Sequence, residues 1–413
     1  MAFGLLVADR CWSDLRDGFV DGALLEPAHR LTYDGFHWVA PWPGVGLHVH
    51  VVITALAGLL LAAGALHRVA ALVFTLGHAY LFLLDETHYL NHDYLIGLLG
   101  LLLAVLPADR ALSVRALRRG AETIPRGAIW LLRAQIGLVY FYAGVAKLNA
   151  DWLSGWPLRI WLADRSAMPL VGPWLEEPWL AVLMSWSGAA IDLAAWPLLS
   201  HRRTRPWMFG VLLSFHFLNA QLFDIGVFPM LSVAVTTIFF APDWPRRWLR
   251  LGEARTHRPS RRPGALFSLG ALWLAVQLAL PLRPFFYPGD PSWTEEGHRF
   301  SWHMKLRDKD GEARFFARDP ESGAVWELDL RALFTEPQIS ELSGRPHLLH
   351  QAAAIARADV RARLGVDPEI RVEARVSLNG RAPQLLVDPA VDLARAERPV
   401  FGHTPWILPL EDR

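Results

Sequence analysis

The chain has 413 residues, of which 53% are hydrophobic and only 20% are charged, and its formal net charge is +1. Because soluble domains carry about 25% charged residues, this composition excludes disordered and fibrous proteins and favours an integral membrane protein with a soluble part. The balanced charge gives no overall attraction to nucleic acid, and the single cysteine, Cys11, rules out an intrachain disulfide framework or a cysteine-based metal centre.

The first predicted element is a short apolar fragment that contains Phe3, Leu6 and Val7. It is too short to span a bilayer, and it lacks the preceding basic segment of a signal peptide. The sequence alone therefore indicates the tail of an incomplete first helix.

Eight apolar stretches follow with the length and composition of transmembrane helices. A helix needs roughly 20 apolar residues to cross the hydrocarbon core, and shorter helices are tolerated inside a bundle. The predicted spans are residues 45–66, 70–84, 94–107, 127–147, 180–199, 207–223, 225–241 and 265–282. The sequence thus predicts an α-helical polytopic membrane bundle of about eight spans plus the partial first helix, within a domain of residues 1–282.

Arginines in the connecting segments predict the orientation of the bundle. Three basic loops, separated from one another by two predicted spans each, fall on one face, which should be cytoplasmic. They contain Arg110, Arg115, Arg118, Arg119 and Arg126, then Arg202, Arg203 and Arg205, then Arg246, Arg247, Arg250, Arg255, Arg258, Arg261 and Arg262. Everything after residue 282 is then expected outside the cytoplasm, and the basic segment 255–263 is expected to lie against lipid headgroups.

Residues 283–413 are predicted to form a soluble, β-rich α+β domain. Apolar side chains alternate over residues 300–306 as on one face of a strand, and residues 309–311 read as the turn of a hairpin. Residues 347–364 have helical spacing. Residues 370–380 alternate again and end in Asn-Gly, a two-residue turn signal.

Lys147 stands near the predicted outer end of the span 127–147, on one helical stripe with Arg133, Tyr140 and Asp151. One interpretation is a lysine whose side chain extends to the membrane interface. The other is a lysine that faces the bundle interior, where loss of hydration favours the neutral amine. Such an amine could act as a base near neutral pH.

Three further polar clusters fall at the same predicted level of the membrane. They comprise Asp85, His88, Asn91 and His92; His216, Asn219 and Gln221; and Asp192. Together with Lys147, these clusters fit an outward-opening cavity that serves as an active site.

Each cluster also has a simpler interpretation. The histidines can be hydrogen-bonded structural residues, or His88 and His92 can be a metal-ligand pair at helical spacing. No cysteine or glutamate is placed as a third ligand, so no metal is expected. Asp192 is expected either to neutralise Arg133 inside the bundle or to act in catalysis.

Long motifs surround these residues. They are QIGLVYFYAGVAKLNADWL at 135–153, DETHYLNHDYL at 85–95 and HFLNAQLFDIGVF at 216–228, with shorter motifs at 293–304 and 388–393. In this order, from about Leu24 to Pro409, the motifs resemble the vitamin K-dependent gamma-carboxylase family, part of the superfamily of the horizontally transferred transmembrane domain.

The resemblance implies a peptidyl-glutamate 4-carboxylase-like enzyme, a carboxy-lyase coupled to epoxidation. Such enzymes oxidise vitamin K hydroquinone, or here a menaquinol, with O2 to the epoxide, and the strong base formed lets them carboxylate glutamate side chains with CO2. The residue that matches the family's lysine base is Lys147, and the matching histidines are His92 and His216. The other residues expected to bind quinol or substrate are Asn91, Asn219, Gln221, Tyr140, Trp152, Asp85, Arg133 and Asp192.

The partners implied are the quinol, a glutamate-containing peptide or protein, and the lipid bilayer, without nucleic acid. Two other functions stay open at this stage: a quinol epoxidase without carboxylation, and a non-catalytic transport or partner-binding membrane protein on the same scaffold. The chain lacks the cysteines that crosslink the animal enzymes and most of their extended lumenal portion. Its abundance of Ala, Arg, Leu and Trp indicates a bacterial source, so we expect the inner membrane, with the C-terminal domain in the periplasm.

Overall fold

The computed structural model describes residues 1–255, 265–399 and 402–411. Its N-terminal part is a bundle of helices, and its C-terminal part is an antiparallel sheet covered by two helices. The main helices are α1 (Ala2–Arg16), α2 (Gly46–Ala63), α3 (His67–Leu83), α4 (Asn91–Val105), α5 (Arg126–Ala146), α6 (Pro178–Ser200), α7 (Arg205–Leu222), α8 (Phe228–Thr236), α9 (Ala265–Ala279), α10 (Glu336–Ser343) and α11 (Pro346–Leu364). The strands are β1 (Lys309–Arg318), β2 (Val325–Leu328), β3 (Glu369–Leu378) and β4 (Gln384–Leu385).

Short helical segments connect these elements. They are Val20–Leu25, Glu86–His88, Val114–Arg119, Ala150–Leu153, Leu158–Ala163, Gly172–Leu175, Thr237–Phe239, Trp244–Trp248, Leu280–Phe286, Pro291–Thr294 and Leu330–Ala332. Arg258, Arg261 and Arg262 of the predicted third basic loop lie outside the described residues.

Helices α2 to α9 overlap the eight predicted spans. Four helical segments of the described chain are long and apolar enough to cross a membrane: Gly46–Ala63, Arg126–Ala146, Pro178–Ser200 and Phe267–Phe286. Shorter apolar helices are His67–Leu83, Asn91–Val105 and Phe228–Phe239. The structure therefore confirms a helical bundle with membrane-length helices, while the count of about eight spans stays a prediction.

The first helix is longer than the sequence indicates. α1 runs for 15 residues, although only residues 3–7 read as apolar. Its polar second half is accommodated because Arg10 and Asp14, one turn apart, form an ion pair of 2.9 Å. Gly4 lies so close to α2 that an added Cβ would stand 2.5 Å from the backbone nitrogen of Ala62. α1 is thus longer than the apolar fragment and packs on α2, while the expectation that it is the tail of a longer helix stays a prediction.

Two glycines allow α5 and α6 to approach each other closely. An added Cβ at Gly137 would clash with the ring of Trp196 in α6, and one at Gly144 would lie 2.9 Å from the backbone nitrogen of Leu193. Any side chain at these positions would force the two helices apart. The close approach sets Lys147, at the C-terminal end of α5, against Asp192 in α6.

The C-terminal sheet has the strand order β2-β1-β3-β4, with antiparallel neighbours throughout. β1 and β3 pair along ten residues, and alternate residues of β3 are buried beneath the helices. The predicted helix over 347–364 is confirmed as α11. The predicted turn after β3 is also confirmed, because Asn379 and Gly380 have positive φ angles of 52° and 77°, as a type I′ turn requires.

Two predictions for the start of this domain are wrong. Residues 300–306 form no strand but a series of turns in which Phe300, Trp302 and Lys305 adopt positive φ angles. Residues 309–311 form no turn but begin β1. The alternation of apolar residues reflects packing on the bundle instead, since the ring of Trp302 lies 5.1 Å from that of Tyr94 in α4.

Polar contacts dock the C-terminal domain on the bundle. Arg381 makes hydrogen bonds of 2.6 and 2.9 Å to the two carboxylate oxygens of Asp151, and Gln338 of α10 donates to Asp85 over 2.9 Å. Asp151 does not continue the stripe of α5, because that helix ends at Ala146 and the chain turns before the next one. Both aspartates thus hold the two parts of the protein together.

Candidate active site

A cavity of about 500 Å³ lies between α4, α5, α6, α7 and α8, and the C-terminal domain contributes Met304 and Lys305 to its wall. Its lining is mostly apolar. The predicted site residues that line it are Asn91, His92, Tyr140, Lys147, Trp152, Asp192, His216 and Asn219. These side chains come from α4, α6 and α7, from α5 and the residue that follows it, and from the short helix Ala150–Leu153, and the bundle brings them to one space.

Lys147 is the amine in this wall. It follows the last residue of α5, and its Nζ donates hydrogen bonds to Asp192 Oδ2 at 2.8 Å and to the carbonyl oxygen of Ala143 at 3.3 Å. Nζ also lies 5.3 Å from the ring centre of Trp152, whose indole N–H donates to the carbonyl of Ser185. Lys147 is only 6% exposed and Asp192 only 4%, so the pair sits inside the protein. The inward-facing interpretation of Lys147 therefore describes this structure.

His216 and His92 each leave one ring nitrogen without a hydrogen-bond partner among the described residues. In His216 the Nε2 atom lies 2.9 Å from the hydroxyl of Tyr140, and Nδ1 is unpartnered. In His92 the buried atom without a partner is Nε2. Both rings lie against Phe228, with centroid distances of 5.8 and 6.1 Å. A ligand in the cavity can thus meet two buried imidazoles whose hydrogen-bonding capacity is not spent on protein.

The two asparagines hold different positions in the wall. Asn91 accepts a hydrogen bond from Tyr89 at 3.1 Å and donates to the carbonyl of His303 at 3.1 Å, so it joins α4 to the C-terminal domain. Asn219 lies one helical turn after His216 on the cavity face of α7. Both amides are placed to contact a polar group of a bound ligand.

Three predicted site residues do not line the cavity. Gln221 is exposed on α7, because it lies five residues after His216 and therefore on another helical face. Asp85 accepts hydrogen bonds from Thr87 and Gln338, so its carboxylate holds the C-terminal domain against the bundle. Arg133 donates to the carbonyl oxygens of residues 238–240.

The expected pair between Asp192 and Arg133 is not formed. Arg133 lies about four turns before the end of α5. Its guanidinium donates hydrogen bonds to backbone carbonyls at the end of the short helix Thr237–Phe239. Asp192 pairs with Lys147 instead.

Sequence reasoning missed the contribution of the C-terminal domain. Lys305 lines the main cavity, and its Nζ lies 5.0 Å from the ring centre of Trp161. One signal could have revealed it. The whole chain contains only three lysines, Lys147, Lys305 and Lys309, beside many arginines. Because arginine stays protonated whereas lysine can become neutral when buried, each of these rare lysines is a candidate for a functional amine.

A smaller cavity of about 170 Å³ adjoins the first one, and we call it the polar chamber. Its polar lining residues are Tyr89, Asn91, Glu295, His298, Arg299, His303, Lys305, Arg307 and Arg345. Asn91 and Lys305 line both spaces. Arg299 and Arg345 form ion pairs with Glu86 and Glu341. The apolar cavity with Lys147 therefore borders a small space rich in basic side chains.

Burial dominates the electrostatics of the polar chamber. It lowers the pKa of His303 to about 4 and that of the neighbouring Lys309 to about 7. Burial alone would raise the pKa of Glu295, but the positive charges of Arg307 and Lys309 outweigh it and lower that pKa. The histidine is thus neutral and the glutamate charged at neutral pH.

Potential metal ligands do not cluster in the part of the chain that the structure describes. No three His, Cys, Asp or Glu residues there are close enough to hold an ion. His88 lines a separate cavity of about 280 Å³, packed against Phe19, whereas His92 faces the main cavity. The two histidines therefore do not converge as a ligand pair.

Two family models match the chain. The HTTM domain matches residues 1–244, more than half of the chain, and the lumenal domain of the vitamin K-dependent gamma-carboxylase matches residues 263–413. No solved structure matches it. The first match is to a membrane-associated domain, and the second indicates a vitamin K-dependent, carboxylase-like function.

Proposed function

Because the chain belongs to the vitamin K-dependent gamma-carboxylase family, we propose that it oxidises vitamin K hydroquinone or a menaquinol with O2 to the epoxide. We propose further that this oxidation drives the carboxylation of glutamate side chains with CO2 in a peptide or protein. The observation that carries the proposal is Lys147, a buried amine held by a carboxylate in the wall of a large apolar cavity.

The cavity has the properties that a quinol site requires. Its volume of about 500 Å³ lies within the range of about 300–1,000 Å³ that is usual for small-molecule sites. Its apolar walls suit an aromatic ring system, and the unpartnered nitrogens of His92 and His216 can meet the quinol oxygens. When bound, the quinol supplies with O2 the strong base that glutamate carboxylation needs.

Lys147 is the proposed base that removes a hydroxyl proton from the quinol. In the resting protein Asp192, 2.8 Å away, holds Nζ as the ammonium. Once this ammonium has released its proton to solvent, the neutral Nζ takes the proton of the quinol oxygen, and Asp192 stabilises the ammonium that forms again. Trp152 lies beside Nζ at 5.3 Å and limits its motion. Asn91, Asn219 and Tyr140 are the further proposed contacts of the quinol.

The polar chamber is the proposed site of the glutamate side chain. Lys305 stands at the border of the two spaces and has no carboxylate within ion-pair distance among the described residues. It can therefore receive the substrate carboxylate while the γ-carbon faces the quinol. Exclusion of bulk water by the surrounding side chains protects the carbanion from reprotonation until it captures CO2.

The proposed location is the bacterial inner membrane, with a bundle of residues 1–282 and a periplasmic domain of residues 283–413. The first and third basic loops support a shared cytoplasmic face, because they pair directly with each other. The backbone N–H of Arg255 donates to the carbonyl of Ala121 at 2.8 Å, and the backbone carbonyl of Arg255 accepts from the N–H of Thr123 at 2.9 Å. A reporter enzyme that works only in the cytoplasm, fused to the C-terminus, should show no activity. Activity of this fusion would contradict the proposed orientation.

A reconstituted assay tests the proposed function. Purified protein in lipid nanodiscs receives vitamin K hydroquinone or menaquinol, O2, radiolabelled bicarbonate and a glutamate-containing peptide. We expect quinone epoxide and acid-stable label in the peptide, and neither product with Lys147→Ala. Epoxide without label would restrict the function to quinol epoxidation. No epoxide from folded wild-type protein with either quinol would overturn the proposal.

A further inference from the structure

A chain of buried hydroxyl groups lies behind His216. The Tyr140 hydroxyl is 2.9 Å from His216 Nε2 and 3.3 Å from Thr236 Oγ1. Thr236 Oγ1 in turn donates to the carbonyl oxygen of Ser232 over 2.6 Å. Tyr140 is 6%, His216 1% and Thr236 0% exposed, so water does not compete for these groups. No sequence motif singles out Thr236.

The hydrogen-bonding capacity of Thr236 is restricted. Its only hydroxyl proton is committed to the Ser232 carbonyl, so towards Tyr140 it can act only as an acceptor. The Tyr140 hydroxyl also has a single proton. It therefore donates either to His216 Nε2 or to Thr236 Oγ1, and these two arrangements require different tautomers of His216.

In the first arrangement Tyr140 donates to His216 Nε2, so the histidine proton resides on Nδ1 and this nitrogen can only donate. In the second, Tyr140 donates to Thr236, and its oxygen accepts the proton of His216 Nε2–H. His216 Nδ1 then has a free lone pair. Because Nδ1 has no other partner among the described residues, it is the nitrogen left to act on a ligand.

We propose that Thr236 is a positioning residue that enables His216 to accept a proton or hydrogen bond at Nδ1 from a group bound in the cavity. In that step a proton leaves the ligand and binds to Nδ1, Nε2–H donates to the Tyr140 oxygen, and the Tyr140 proton points to Thr236. No bond to carbon forms or breaks. The inference rests on the proposed function only for the identity of the ligand.

Thr236→Val tests this inference, because it keeps the shape of the side chain but removes the acceptor. Thr236→Ser is the matched control, since it retains the hydroxyl. The readout is ¹⁵N NMR of histidine-labelled protein in nanodiscs, which separates the two tautomers, with the His216 signal assigned by its loss in His216→Gln. We expect the ratio of the Nε2–H to the Nδ1–H tautomer to fall roughly fivefold in Thr236→Val, as loss of one neutral hydrogen bond predicts, and to be unchanged in Thr236→Ser.

The same ratio in Thr236→Val and wild type would overturn the inference, as would an equal fall in both variants. Tyr140→Phe provides a second check, because without the central hydroxyl a further Thr236→Val change should leave the His216 signal as it is. If valine prevents folding, Thr236→Ala replaces it with the same expected shift. The tautomer measurement needs no quinol, so it stands or fails separately from the assay of epoxide and label.

Discussion

Lys147 Nζ and Asp192 Oδ2 are 2.8 Å apart in the interior of the bundle, although the two residues are separated by 45 positions in the chain. The contact exists because α5 and α6 approach each other at Gly144. A buried charge without its partner is costly. The pair therefore acts as one unit both in stability and in the proposed proton transfer.

Asp192→Asn should lower both stability and activity. It leaves the Lys147 ammonium without a counter-charge, and breaking a buried pair costs about 3–5 kcal/mol. Epoxide formation should fall about 100-fold or more, since the base loses its orienting group. The checks are the thermal unfolding midpoint in nanodiscs and the rate of epoxide formation.

The double variant Lys147→Gln/Asp192→Asn is the control for this prediction. It replaces the ion pair with two neutral amides, so most of the lost stability should return, while no epoxide should form because the base is missing. A double variant as unstable as Asp192→Asn alone would show that the two side chains do not depend on each other.

Gly144→Ala should weaken the protein and its activity together. The added methyl group would meet the backbone nitrogen of Leu193 at 2.9 Å, which cannot move without displacing α6. We expect a loss of about 1–3 kcal/mol in the free energy of unfolding. Gly210→Ala in α7 is the matched exchange, because no atom lies within 4 Å of its added Cβ, and it should leave stability unchanged or raise it. Equal effects at both positions would argue against tight α5–α6 packing.

His303 should make the protein sensitive to acid. Burial lowers its pKa in the folded state to about 4 from an ordinary value of 6.5. Between these values the unfolded chain binds a proton that the folded chain excludes, so stability falls as the pH drops from 6.5 to 4. Unfolding midpoints of wild type and His303→Gln should diverge in that window and run parallel above pH 7. His201→Gln, at an exposed position, controls for loss of any histidine, and parallel curves for His303→Gln would contradict the prediction.

Arg381→Gln should loosen the contact between the two parts of the protein. Arg381 holds both carboxylate oxygens of Asp151, and hydrogen bonds to charged groups are worth about 1.5–3 kcal/mol. Hydrogen–deuterium exchange should rise in residues 150–163. Arg314→Gln removes an exposed pair with Glu327 and should have little effect, because surface ion pairs contribute little. Unchanged exchange in Arg381→Gln would show that other contacts suffice for docking.

The helices of the bundle could be predicted from the sequence, and so could eight of the eleven residues expected at the cavity, because both depend on local spacing. Lys147, His92 and His216 sit at helix ends or on helix faces that hydrophobic patterns reveal, and the structure gathers them at one cavity. Gln221 shows the limit of grouping by proximity, since a residue five positions after His216 lies on another face of the helix.

The contribution of residues 300–306 could not be predicted in the same way. The alternating apolar residues resemble a strand, but they pack on aromatic rings of the bundle, as Trp302 does on Tyr94. Left-handed backbone at Lys305 then turns the chain along the cavity wall. Such long-range contacts decide the local conformation, and no window of sequence contains both partners.

The most direct test of the central claim is the rate of quinol epoxidation by Lys147→Arg in folded, nanodisc-embedded protein. Arginine keeps the positive charge beside Asp192 but stays protonated, so it cannot serve as the base. Arg314→Lys, the reverse exchange at an exposed ion pair, is the control and should retain the wild-type rate. We predict that Lys147→Arg lowers the rate of epoxide formation about 10²–10⁴-fold. A rate equal to that of wild type would contradict the assignment of Lys147 as the base.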